Sequence, residues 1–210
     1  MKDLLFEHLC SHYKDTYEVH LASIKQRDYL FYFLLVILSL FTLQINASCF
    51  VNEALYSYLD KKLNLIIDKN PVFFGLLLWF LLFGLSLKYY QIVIQIERQY
   101  IYLHSLEEEI NKQYSLKSIA FTREGKSYLH QYPLFSDWIY FLYIAVFPMI
   151  LMVCIILRMQ QDCRNLAFDS FPFWMSLSLY FLIGITTTLY VLFMNREKIK
   201  KVCNFFHHKR

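Results

Sequence analysis

Four stretches of this 210-residue chain contain no Asp, Glu, Lys or Arg and consist mainly of Leu, Phe, Ile, Val and Tyr. They are residues 29–50, 72–87, 138–157 and 172–195. A helix of about 20 apolar residues crosses a hydrocarbon core about 30 Å thick. The first, third and fourth stretches reach that length unaided. The second gains it from Lys88 and the Tyr89–Tyr90 pair, because lysine lays its stem along apolar surface and turns its ammonium outward. Only 18% of the residues are charged, against about a quarter in an ordinary soluble domain. Too little polar chain remains to cover four buried helices in water. The sequence therefore predicts an all-α integral membrane protein with four transmembrane helices, over residues 29–50, 72–90, 138–157 and 172–195.

Lysine and arginine set the orientation. Residues 1–28, 88–137 and 196–210 hold 16 of them, and residues 51–71 and 158–171 hold 5. The positive-inside rule places both termini and the central segment in the cytoplasm, and 51–71 and 158–171 in outer loops. Cys49 and Cys163 then fall near the outer face, where the sequence alone favours two free thiols over a disulfide.

The cytoplasmic parts carry their own patterns. Residues 1–28 repeat apolar groups at Leu5, Leu9, Tyr13, Tyr17, Leu21 and Ile24, as an amphipathic helix does. The second span does not stop at the interface. Residues 91–114 lack Pro and Gly, and Ile96, Leu103, Leu106 and Ile110 form an apolar stripe, with Glu107, Glu108 and Glu109 facing at least partly outward. A helix over residues 72–113 would be about 63 Å long. Such a stripe needs cover, since an isolated helix is marginal in water. The N-terminal helix, a neighbouring subunit or a soluble protein could supply it, and Ile96, Leu103, Leu106 and Ile110 are the candidate docking residues for a cytoplasmic partner. Residues 115–137 return the chain to the third span. The basic tail, 196–210, suits an anionic inner leaflet through Lys198, Lys200 and Lys201. Between the first two spans, residues 54–68 read as a short amphipathic helix.

Catalytic and metal patterns are weak. His8, Cys10 and His12 cluster on the first helix, but a zinc site needs further ligands and none is evident. Arg98 with His104, and Arg123 with His130, loosely resemble the Arg–His motif of HEPN ribonucleases. There is no P-loop, HExxH or GxSxG sequence. No cofactor or metal is called for, and direct nucleic-acid binding by this chain is not favoured. The four uncharged stretches contain no Asp, Glu, Lys, Arg or His, which argues against a proton- or ion-coupled pump. The fourth span is distinctive. Ser176, Tyr180, Gly184 and Thr188 recur every fourth residue with Thr187 beside them, a stripe that can form a helix interface or line a pore. Pro148 can kink the third span, freeing a carbonyl near Met152 or Cys154.

The size, the four spans, the helix running out of the second span (RQYIYLHSLEEEIN) and the return FTREGKSYLHQYP resemble the small four-span inner-membrane proteins of bacterial anti-phage defence systems. Examples are the KwaA-like membrane subunit of Kiwa and the membrane accessory proteins of Cas13b-type CRISPR and RADAR loci. The likeness is one of architecture and transfers no functional residue. It implies a non-enzymatic homo-oligomer in the bacterial inner membrane that senses infection, or perturbs the membrane, together with a cytoplasmic protein partner. A pore-forming effector is the alternative, and a membrane-anchored ribonuclease a further one.

Overall fold

A computed structural model describes residues 2–63, 71–113, 138–139, 141–165 and 170–196. Every secondary-structure element among them is helical. Helix α1 spans Lys2–Asn46, α2 Ser48–Leu63 and α3 Pro71–Gln113. A π turn at Leu142–Val146 leads into α4, Phe147–Asn165, and α5 is Phe171–Met194. Four helices are long and apolar enough to cross a membrane: Phe6–Ile45, Phe74–Lys112, Leu142–Arg164 and Phe171–Met194. The chain is thus an all-α, four-span membrane protein.

Several boundaries differ from the sequence reading. The N-terminal amphipathic helix and the first span are one helix of 45 residues, because no Gly or Pro interrupts residues 2–46. The loop helix begins at Ser48, earlier than the expected residue 54, and its predicted end lies outside the described residues. Helix α3 opens on Pro71, whose missing N–H costs nothing at a first helical position, and runs 43 residues without a break. The third span does not stop at residue 157. Residues 158–165, assigned from sequence to an outer loop, continue α4. The π turn falls just before Pro148. A proline cannot donate to the carbonyl four residues earlier and its ring crowds that oxygen. The disturbed carbonyl is therefore at Ile144, N-terminal to Pro148, and not near Met152 or Cys154.

The chain divides into two compact units. The first comprises Met1–Leu30 and Tyr89–Phe141, the second Phe31–Lys88 and Leu142–Arg210. Helices α1 and α3 contribute to both.

In the first unit, α1 packs beside the C-terminal part of α3. Tyr13, Leu103, Leu106 and Ile110 form a buried cluster, and Phe6, Leu9 and Tyr17 pack against it. On α1 the inward positions are 6, 9, 13, 16, 20 and 23; on α3 they are 89, 92, 96, 99, 103, 106 and 110. Alternating steps of three and four keep one seam facing a partner helix. The expected face on α1 advanced mostly in steps of four, which drifts about 40° per step. That drift carries Leu21 out to solvent, while His20 and Ser23 take the seam. The outer surface of this unit carries Lys14, Asp15, Glu18, Lys25, Arg98, Glu108 and Glu109, all exposed.

The second unit reverses that pattern. Its interior holds Leu34, Phe41, Trp79, Leu82, Leu151 and Ile183, essentially without exposure. Its surface is apolar too, with Phe33, Val36, Leu40, Phe80, Val153, Phe181 and Leu189 exposed. Apolar residues inside and outside together are what a bundle solvated by lipid requires. Hydroxyls exposed on this surface are spent on their own helices: Ser39 donates to Leu35 O at 2.8 Å, Thr186 to Leu182 O at 2.6 Å and Thr188 to Gly184 O at 2.8 Å.

Candidate functional site

The second unit contains one cluster that apolar packing does not account for. Arg158 and Asp162 lie one turn apart on α4, on the stretch that the sequence reading placed in a loop. Arg158 Nε is 3.0 Å from Asp162 Oδ1, with side-chain exposures of 11% and 7%. Tyr180 of α5 donates its hydroxyl to Asp162 Oδ2. The expectation that the membrane helices lack ionisable side chains is therefore corrected. Continuing α4 past residue 157 brings an ion pair inside the bundle.

All four spanning helices meet around it. The Tyr180 ring stands edge-on to Trp79 of α3 at 4.7 Å, and Trp79 edge-on to Phe41 of α1 at 4.4 Å. Such pairs contribute about 0.5–1.5 kcal/mol each beyond area burial. The Arg158 guanidinium carbon sits 5.9 Å from the Phe41 ring centroid, within cation–π range. On α3, Gly75 makes room for the guanidinium. A Cβ there would lie 2.9 Å from an Arg158 terminal nitrogen and 3.5 Å from Gln44 Nε2. The end of an arginine can swing aside, so alanine at 75 would displace the guanidinium more than it would break the helix. Gln161 Nε2 donates to the Ile45 carbonyl at 3.3 Å, a further tie from α4 to α1. Among the described residues, Oε1 of Gln44, 2% exposed, Nε1 of Trp79, 0% exposed, and Oε1 of Gln161 have no hydrogen-bond partner, and Arg158 Nε meets Asp162 as an ion pair without hydrogen-bond geometry.

Sequence analysis missed this cluster because its charges sit beyond the uncharged run. The legible signal was the i, i+4 Arg–Asp spacing directly after an apolar span, with Gln44 in the first span.

The predicted docking stripe has an owner. Leu103, Leu106 and Ile110 are buried against α1 and Ile96 is half-buried. Of the candidate covers, the N-terminal helix supplies the contact, so these four residues are not an open surface for a partner. Burial is worth about 1.5–3 kcal/mol for each large apolar side chain in water, which explains why the seam closes within the chain. Glu107, expected to face partly outward, is 1% exposed and accepts from Tyr13 Oη at 2.9 Å.

The fourth-span stripe divides. Ser176, Tyr180 and Thr187 are buried within the bundle. Thr188 instead opens onto two grooves between α4 and α5, of about 420 and 400 Å³, and Gly184 onto the second. A Cβ on Gly184 would meet nothing within 4 Å, so this glycine serves no close approach inside the chain. With the Thr188 hydroxyl committed to the Gly184 carbonyl, these residues give a monomer helix interface and an apolar groove, not a polar wall. Lys198, Lys200 and Lys201 lie outside the described residues.

The weaker patterns are placed as follows. His12 Nε2 is 2.9 Å from Tyr102 Oη, and among the described residues no three His, Cys, Asp or Glu side chains gather as a metal site. His104 lies 3.5 Å from Glu108 Oε1. Arg98, six positions before it, points about 120° away around α3. Arg123 and His130 are outside the described residues. Cys163 is an exposed free thiol and Cys10 and Cys154 are half-buried free thiols; the Cys49 side chain is outside the described set.

No protein-family model, curated protein or solved structure matches the chain.

Proposed function

We propose that this is a non-enzymatic, multi-pass subunit of the bacterial inner membrane, with both termini cytoplasmic, acting as a sensor or effector in anti-phage defence. The observation carrying this reading is that α1 and α3 each build part of both units. A lipid-solvated bundle and a water-solvated helix pair share two uninterrupted helices, so a change in either has a covalent route to the other. That is what signalling across an interface needs, and it uses no catalytic residue. The Lys and Arg bias supports cytoplasmic termini, and the four-span layout supports the defence setting by resemblance. The protein works as a homo-oligomer and meets a soluble partner through the outer face of the first unit, where Arg98, Glu108, Glu109 and Lys112 are exposed.

Two experiments test this. Reporters fused at each terminus should be active only in the cytoplasm. Cells carrying the gene with its neighbours should give fewer phage plaques than cells lacking it, and Leu103→Asp, which opens the first unit, should abolish protection while the protein still inserts. Equal plaque counts with and without the gene across a phage panel would remove the defence reading.

A second reading, an ion-conducting effector, is favoured by one observation, the buried Arg158–Asp162 pair among the spanning helices. Purified protein in liposomes should then pass ions under a trigger, and conduction should change in Asp162→Asn.

A further inference from the structure

We propose that Arg158, Asp162 and Tyr180 form a polar latch between α4 and α5 that holds the bundle closed and opens to a second, water-admitting state. This goes beyond the defence reading and requires only that the bundle lie in a membrane.

Three features of the cluster point to two states. The first is the ion pair itself. Burying two charges costs about as much as their attraction returns, and apolar residues of similar volume would pack as well. Ionisable side chains inside a membrane bundle are correspondingly rare and mark functional positions. The second is that the carboxylate is shared. Asp162 faces Arg158 on its own helix and accepts from Tyr180 on the next. Loss of the tyrosine bond leaves the ion pair intact on α4 and removes this polar tie to α5. The contact between the helices can therefore break without stranding a charge. The third is that Gln44 Oε1 and Trp79 Nε1 have no hydrogen-bond partner among the described residues in the closed arrangement. A bundle that admitted water would satisfy both, and that gain offsets part of the packing lost. The closed state is held by a shared acceptor and penalised by bare polar atoms, so its margin over a hydrated state is narrow. Gly75 is part of the device, because only an absent side chain lets the guanidinium rest against α3 beside Gln44.

Cys154, half-buried one turn before Arg158, reports on the state. In full-length protein with Cys10, Cys49, Cys163 and Cys203 replaced by serine, reconstituted in lipid, a water-soluble maleimide labels Cys154 only when water reaches it. Asp162→Asn, which leaves the arginine uncompensated, should raise the labelling rate at least about tenfold. The triple variant Arg158→Met, Asp162→Leu, Tyr180→Phe, which has no charge to hydrate and no hydroxyl left without its acceptor, should label more slowly than the parent. Gly75→Ala, displacing the guanidinium without removing it, should label faster than the parent and serves if Asp162→Asn does not insert. An ion pair that is only structural gives a different order, with the apolar variant labelling as fast as the parent or faster. That order overturns the latch, as does labelling of Asp162→Asn and Gly75→Ala at the parental rate.

Discussion

The two units put the same pair of helices into different solvents. In the first, α1 and α3 expose charge to water and close an apolar seam around Tyr13, Leu103, Leu106 and Ile110. In the second, the same helices present Phe33, Val36, Leu40 and Phe80 outward. Lipid is as apolar as leucine, so exclusion of side chains from solvent cannot hold that bundle together. Close packing and polar bonds do so instead, and the polar bonds concentrate in one cluster that touches four helices. The first unit also buries a carboxylate, Glu107, which accepts from the Tyr13 hydroxyl at 2.9 Å. The second buries a carboxylate and a guanidinium together. Water makes a hydrophobic seam sufficient; lipid leaves a role for an internal charge pair.

That contrast can be broken in order of expected effect. Asp162→Ala strands a buried guanidinium and should cost about 3–5 kcal/mol, read as a fall in the unfolding midpoint of purified protein in detergent. Replacing the whole cluster, Arg158→Met with Asp162→Leu and Tyr180→Phe, should be neutral or stabilising by up to about 4 kcal/mol; a loss as large as the single variant's would mean that the cluster is structural glue. Leu103→Ala should cost about 3 kcal/mol in the first unit through the cavity it leaves. Hydrogen exchange should then quicken in residues 2–30 and 89–113 and stay unchanged in α5, and a uniform increase would show that the units do not respond separately. Tyr13→Phe removes one hydroxyl and leaves Glu107 buried without it, a loss of about 1–3 kcal/mol by the same exchange measurement. Gly184→Ala should change stability by no more than about 0.5 kcal/mol, because nothing lies where the new methyl would go. A marked drop in oligomer mass for Gly184→Ala in light scattering would show that α5 meets a second copy there.

Much of the fold was legible in the chain. Span positions followed from uncharged length, and α3 followed closely because residues 91–113 contain neither Gly nor Pro and keep helical periodicity. The stripe on α3 was legible as well, but its cover was not. The matching face of α1 includes Thr16, His20 and Ser23, and polar residues in a seam hide its period from a hydrophobicity count. The candidate site was nearly invisible. Arg158 and Asp162 look like loop charges until α4 is seen to continue through them, and the residue that gives the guanidinium room, Gly75, is remote in sequence from both.

Composition and charge spacing alone settled that four helices cross a membrane, since a backbone in lipid has few other ways to satisfy its polar groups. Only the tertiary structure decided which helix covers the α3 stripe and that two charges lie inside the bundle. Those outcomes depend on the angular register at which separate helices meet, and register is set by side-chain contact between segments far apart in the chain.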